Sequence, residues 1–152
     1  MPQSFCQCYL HVVFSTKERY PFLSDQTFRT KTHAYLAEVA KRLGCTPVQA
    51  GGVEDHVHLL CILGKQVALT ALVKELKRAS TRWIRETGGA GLEKFSWQSG
   101  YGAFSVSASA VDEVKQYILH QEEHHQQMSF QDEYRSLLTK YGAKFDETYV
   151  WD

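Results

Sequence analysis

An α+β fold in the order β-α-β-β-α-β, followed by two further helices, is predicted by three features of this sequence. Short segments carry the alternating or β-branched pattern of strands, longer ones carry apolar residues at helical spacing, and glycines or capping side chains stand at the joints. The first strand is Tyr9-Leu10-His11-Val12-Val13-Phe14-Ser15, β-branched and aromatic. Over residues 25–43, Phe28, Thr32, Leu36, Val39 and Leu43 recur at helical spacing until Gly44 stops the helix. Residues 47–53 and 56–63 form two strands joined at Glu54-Asp55, and a second helix spans about residues 68–85. After the loop Thr87-Gly88-Gly89-Ala90-Gly91, Phe104, Val106 and Ala108 alternate with Ser105, Ser107 and Ser109, the pattern of a half-buried strand. Ser109 is then expected to cap a third helix running to His125, with Asp112 as its capping-box partner and Val111, Val114 and Ile118 as its apolar stripe. A fourth helix, residues 130–141, carries Phe130, Tyr134, Leu137, Leu138 and Tyr141 on one side and ends at Gly142. This order is the ferredoxin-like split βαβ, an antiparallel sheet with helices on a face and additional C-terminal helices. Many activities use that fold, so function has to come from particular residues.

The 152 residues, 43% hydrophobic and 12% aromatic, suffice for a buried core and fit one domain spanning 1–152. A disordered chain is excluded. No stretch approaches the ~18–20 apolar residues of a membrane span, and Met1-Pro2-Gln3-Ser4 lacks the blocks of a signal peptide, so a cytoplasmic protein is expected. Seventeen basic and seventeen acidic side chains give a formal net charge of zero, which on its face argues against a nucleic-acid partner. A sum, however, says nothing about distribution. Cys6, Cys8, Cys45 and Cys61 make no disulfide framework or zinc ribbon and are expected to be buried free thiols. Five of the seven histidines fall in two tight groups.

His56-Val57-His58 opens the third strand. Alternation puts both imidazoles on one face, roughly 6.5–7 Å apart along the backbone, where they can converge on one metal ion. Both are neutral ligands, so the ion keeps its charge for activating a phosphate. An isolated pair of this kind also fits structural or exposed histidines. On the third helix Tyr117 and Gln121 stand four apart and share a face. They read either as a rim tyrosine and a solvated amide, or as a nucleophile and a third, oxygen ligand. The same helix holds His120-Gln121-Glu122-Glu123-His124, which matches the H-x-x-E-H pattern of inverted zinc peptidases, though no distal carboxylate ligand is evident. His124 and His125 are expected to be solvated.

The zero net charge hides a basic face. Lys74, Lys77, Arg78, Arg82 and Arg85 fall on one side of the second helix, opposite Leu69, Leu72, Val73, Leu76 and Trp83. This is either a solvated face or a phosphate-contacting stripe with Ser80 and Thr81 as donors, extended by Lys17 and Arg19. Trp97, Tyr101 and Phe104 fit core packing, with base stacking as the alternative.

Together these residues resemble one family. His56-Val57-His58 resembles the HUH motif, two histidines around a bulky apolar residue, and Tyr117 with Gln121 resembles that family's single catalytic tyrosine and downstream glutamine. The chain is similar to the single-tyrosine HUH transposases of the smallest bacterial insertion sequences and to REP-associated tyrosine transposases. His11 to Lys17, Gly51 to Leu60, Trp97 to Ser105 and Tyr117 to His125 extend the likeness over nearly the whole chain. The resemblance implies a metal-dependent single-strand DNA endonuclease and strand transferase. Tyr117 would attack a DNA phosphate, leaving a 5′-phosphotyrosine and a free 3′-OH, and rejoining would need no nucleotide cofactor. His56, His58 and Gln121 would hold Mg²⁺ or Mn²⁺. The DNA-binding residues would be Lys74, Lys77, Arg78, Arg82, Lys17 and Arg19, the partner single-stranded DNA with hairpins, and the assembly a homodimer in which the tyrosine helix can complete the partner's site. Such a protein would be nucleoid-associated when bound to DNA. One departure is His120, which stands where many relatives carry asparagine; it could compete as a ligand or face solvent.

Two other readings stay in view. A non-catalytic hairpin-binding module on the same fold predicts salt-sensitive binding without a covalent adduct. A zinc peptidase predicts tightly bound zinc and dependence on Glu123.

Overall fold

The computed structural model describes residues 2–152. Strands β1 (Tyr9–Ser15), β2 (Thr46–Val53), β3 (His56–Ile62) and β4 (Gly102–Val106) form one antiparallel sheet in the order β2-β3-β1-β4. The helices are α1 (Gln26–Arg42), α2 (Leu69–Thr87), α3 (Val111–Leu119), α4 (Gln121–His124) and α5 (Phe130–Lys140). This is the ferredoxin-like α+β architecture expected from the sequence, with β1 and β3 central.

Local chemistry places the boundaries. Asp25 caps α1, its carboxylate accepting from the amides of Thr27 at 3.0 Å and Phe28 at 3.3 Å. Gly44 turns the chain out of α1 with φ +85°, a conformation that suits glycine. Glu54 and Asp55 make the two-residue turn between β2 and β3, which pairs Val53 with His56.

Alternation along the strands divides the sheet between two tasks. Val12, Phe14, Val57, Leu59 and Cys61 face α1 and α2 and pack with Leu36, Val39, Leu72, Leu76 and Ile84 into the main core. The aromatic rings of Phe14, Phe95 and Trp97 interlock there edge to face, 4.7–4.8 Å apart. Trp97 and Phe104 are both core residues, so they do not serve as open stacking surfaces. The opposite face carries Val13, Leu60, Phe104 and Val106, covered by α3 and α5. His11, His56 and His58 are buried on this same side.

Four local expectations are corrected. Ala108 lies outside β4, in a 3-10 turn over Ala108–Ala110. Ser109 does not cap α3: it sits inside that turn, its hydroxyl bonded to Ser107 at 3.1 Å, and no side chain caps the helix. The helix predicted to run on to His125 breaks at His120, whose φ −100° and ψ 22° separate α3 from α4. Cys45 and Cys61 are buried thiols as expected, whereas Cys6 and Cys8 are exposed.

The approach of α3 to the sheet depends on Gly51 in β2. A Cβ there would stand 2.7 Å from Ile118 Cγ2 and 2.8 Å from the Ile118 carbonyl oxygen, so only glycine allows this contact. Among the described residues, no helix is long and apolar enough to cross a membrane.

Candidate active site

β3 begins with His56, and the pleat turns His56 and His58 to the face under α3 and α5. Gln121 opens α4 and Tyr117 lies in the last turns of α3. The four residues expected to form a site therefore meet, although a helix break separates Tyr117 from Gln121. Both reach the same carboxylate, that of Glu133 on α5. The Tyr117 hydroxyl and the Gln121 amide, the latter at 2.9 Å, both donate to Glu133 Oε2. Tyr117 meets the histidines of its own chain, its ring centroid 5.8 Å from that of His58.

The other carboxylate oxygen faces the imidazoles. Glu133 Oε1 lies 3.2 Å from His56 Nε2, 3.1 Å from His58 Nε2 and 3.2 Å from His125 Nε2. Gln121 Oε1 is 3.0 Å from His56 Nε2. The far nitrogen of each ring is also held: His56 Nδ1 by Asp55 at 2.7 Å, His58 Nδ1 by His11 Nε2 at 2.7 Å, and His125 Nδ1 by the Met128 carbonyl at 2.6 Å. His56, His58, Gln121 and Glu133 are all essentially inaccessible to solvent.

Burial alone would strip these groups of charge, so their partners decide. Burial opposes a charge on His56, but its contacts with Asp55 and Glu133 outweigh it and raise the pKa to about 9. Burial wins at His58, whose pKa is lowered, and at His11, lowered to about 3. Burial also opposes ionisation of Glu133, yet His125, His56 and His58 hold its carboxyl well below the usual carboxylate range. Burial and then the charge of Glu133 push Tyr117 above the usual phenol value, so its hydroxyl keeps its proton in this arrangement. Tyr117 borders a cavity of about 560 Å³ lined also by His11, His124, Ser136 and Lys140.

The donor set fits a divalent cation. The ligand atoms of His56, His125 and Glu133 lie within 4.8 Å of one another. His125 Nε2 is buried and aimed into the cluster, but not aligned for a hydrogen bond despite its proximity to Glu133. Imidazole nitrogens combined with carboxylate and amide oxygens suit ions of the Mn²⁺ and Mg²⁺ kind, the nitrogens favouring Mn²⁺.

Glu133 plays no part in the site expected from the sequence, and Asp55, His125 and His11 enter there only as parts of matching stretches. His125 was expected in solvent; its ring is instead drawn inward by the Met128 carbonyl on one side and Glu133 on the other. The sequence does carry signals for two of them. Glu133 falls on the apolar stripe of α5 between Phe130 and Tyr134, and His11 interrupts an apolar strand.

The H-x-x-E-H pattern assembles nothing. His120 is exposed and turned back onto the Gln116 carbonyl at 2.7 Å, and Glu123 is exposed. That also places His120 outside the cluster. The neighbouring Glu122 instead pairs with Arg29 of α1 at 2.8 Å.

The basic residues of α2 are not brought to this cluster; α2 lies on the other side of the sheet. Lys74, Arg78 and Arg82 are exposed there, Arg78 paired with Glu75 and Arg82 with Glu86. Lys77 is corrected as a DNA contact. Its ammonium is bonded to the carbonyls of Gln98, Ser99 and Gly100 at 2.6–3.1 Å, which uses all three of its hydrogens. Ser80 is corrected too: it is buried, donating to the Leu76 carbonyl and accepting from Trp97. Lys17 is exposed at the end of β1, and the Arg19 guanidinium lies 5.6 Å from the Trp151 ring centre.

The sequence pattern of the family described as "Transposase IS200 like" matches residues 4–121. No curated protein matches the chain. Among solved structures, a candidate transposase from Deinococcus radiodurans R1 is similar at 25% identity and TM-score 0.58, over 80% of this chain and 96% of that one. A REP-associated tyrosine transposase bound to a REP hairpin is similar in fold, with TM-score 0.59 and 12% identity, over 82% of this chain and 72% of that one.

Proposed function

This chain belongs to the IS200-like transposase family, and from that premise we propose that it cuts and rejoins single-stranded DNA through Tyr117. The observation that carries the reading is the convergence of the Tyr117 hydroxyl, the Gln121 amide and the His56 and His58 imidazoles on one buried carboxylate.

Tyr117 Oη attacks the phosphorus of a phosphodiester, forming a 5′-phosphotyrosine while the bond to the 3′ oxygen breaks and that oxygen takes up a proton from water to leave as a 3′-OH. The hydrogen bond to Glu133 Oε2 orients the hydroxyl, and the phenolic proton is lost to water as the new bond forms. A divalent cation, Mg²⁺ or Mn²⁺, supplies positive charge beside the scissile phosphate when bound. His56, His58 and Gln121 are the residues assigned to hold it. Asp55 and His11 fix the two ring planes from behind. The new phosphodiester conserves the bond energy of the old one, so a 3′-OH can reverse the step without a nucleotide cofactor. The cavity beside Tyr117 gives the strand its place, with Lys140 at its wall as a counter-charge.

The proposed substrate is hairpin-bearing single-stranded DNA, a class supported by the hairpin held by the REP-associated relative. Residues 1–152 are proposed to act as one domain within a homodimer. Exposed Lys74, Arg78, Arg82 and Lys17, with half-buried Arg19, are the proposed contacts to the DNA backbone.

The test is a denaturing gel after incubation of the protein with hairpin-bearing single strands and Mn²⁺. A covalent protein–DNA band is expected from the wild type and none from Tyr117→Phe. A variant that still forms the band overturns the nucleophile assignment, and binding with no band from the wild type favours a non-catalytic hairpin-binding module.

A further inference from the structure

We propose that Glu133 and His125, which lie beyond residues 4–121 matched by the family's sequence pattern, are ligands of the same cation as His56, so that binding the ion docks α5 onto the sheet. This rests on the proposed metal-dependent activity and adds to it a carboxylate and a third imidazole from the C-terminal segment.

Three features carry it. First, the far nitrogen of every ring is anchored, to Asp55, to His11 and to the Met128 carbonyl, which leaves each Nε2 directed at one place. Metal-binding histidines are held in this way, the outer nitrogen fixed by a carboxylate, carbonyl or similar group.

Second, Glu133 Oε1 is surrounded by more nitrogens than hydrogen bonding can use. An oxygen with two lone pairs faces three Nε2 atoms at 3.1–3.2 Å, and His125 Nε2 makes no aligned hydrogen bond. Neighbouring ligands at right angles around an ion, each ~2.1–2.2 Å from it, stand ~3.0–3.1 Å apart. The separations in the cluster, 3.0–3.2 Å, match that spacing.

Third, the donors come from separate elements: β3, the turn after α4, and α5. An ion bridging them ties the C-terminal segment to the centre of the sheet. Glu133 then serves the cluster through both oxygens, Oε1 toward the imidazoles and Oε2 toward Tyr117.

Calorimetric titration of the full chain with Mn²⁺ tests the assignment. Glu133→Gln and His125→Ala are each expected to weaken Mn²⁺ binding by at least ~10-fold. Wild-type affinity in both variants overturns the proposal, and so does a wild-type chain that takes up no Mn²⁺. A second measurement needs no variant: amide hydrogen exchange over Phe130–Lys140 is expected to slow when Mn²⁺ is added to the wild type. Unchanged exchange there overturns the docking. The covalent-adduct assay separates this inference from the function it rests on. An adduct together with unaltered Mn²⁺ affinity in the variants removes only the ligand assignment. Weakened Mn²⁺ binding in the variants, with no adduct from the wild type, removes the activity and leaves the ligands in place.

Discussion

His33 shows what a single half-buried ring does to this protein's stability. It lies on α1 with Nε2 buried and without a partner, and burial followed by the positive charge of Arg29 lowers its pKa to about 4. An unfolded histidine titrates near ~6.5, so between those values the unfolded chain binds the extra proton and the folded chain does not. Stability is therefore lost as pH falls from ~6.5 toward the folded value, on the order of 1 kcal/mol per pH unit from this residue. Urea unfolding at about pH 7 and about pH 5 should show a smaller loss in His33→Gln than in the wild type. An equal loss in both would assign the acid sensitivity to other groups. The same scale explains which parts of the candidate site were legible. His56 and His58 carry their spacing in the sequence, because strand alternation fixes that they share a face, whereas Tyr117 and Gln121 meet across a break in the helix. Glu133 and His125 become neighbours of His56 only through tertiary packing. A glutamate on the apolar side of α5 marked a partner to be found without saying which one.

Among the elements, the β2–α3 contact sets where Tyr117 stands. Ile118, beside Tyr117 on α3, presses its carbonyl and side chain against Gly51. Gly51→Ala is expected to push α3 off the sheet, destabilise the protein by about 1–3 kcal/mol and reduce the adduct formed by Tyr117. Urea unfolding and the covalent-adduct gel check the two halves of that statement. Wild-type values in both would show that α3 has room to spare. Most strands and helices were legible because hydrophobic period and punctuation agree, as at α1 between Asp25 and Gly44. The break at His120 was not. Nothing in Leu119-His120-Gln121 is a helix breaker; the separate burial of Ile118 against Leu60 and Val106 and of Gln121 against His56 and Glu133 prevails over helical continuity. The missing Ser109 cap has a similar origin, since serine favours several local hydrogen bonds and here it takes Ser107 instead of a helix amide.

For the molecule as a whole, zero net charge becomes a matter of where the charges sit. One side of the sheet carries the large apolar core under α1 and α2, and the other carries the titratable cluster. The exposed cations of α2 are partly neutralised by Glu75 and Glu86, so only a few phosphate contacts are expected from that helix. Hairpin binding should accordingly weaken with salt at a modest slope, and replacing Lys74, Arg78 and Arg82 together by alanine should flatten it by roughly 1–3 units. A slope left unchanged would move the DNA to another surface. The strand order has a consequence in time. β1 is made before both strands it pairs with, β3 and β4, Tyr9 lying opposite Val106. Tyr117 emerges later still, and Glu133 after that. A nascent chain therefore carries its two histidines through the synthesis of residues 59–132 without the carboxylate that gathers them, and the candidate site is assembled only once α5 has left the ribosome.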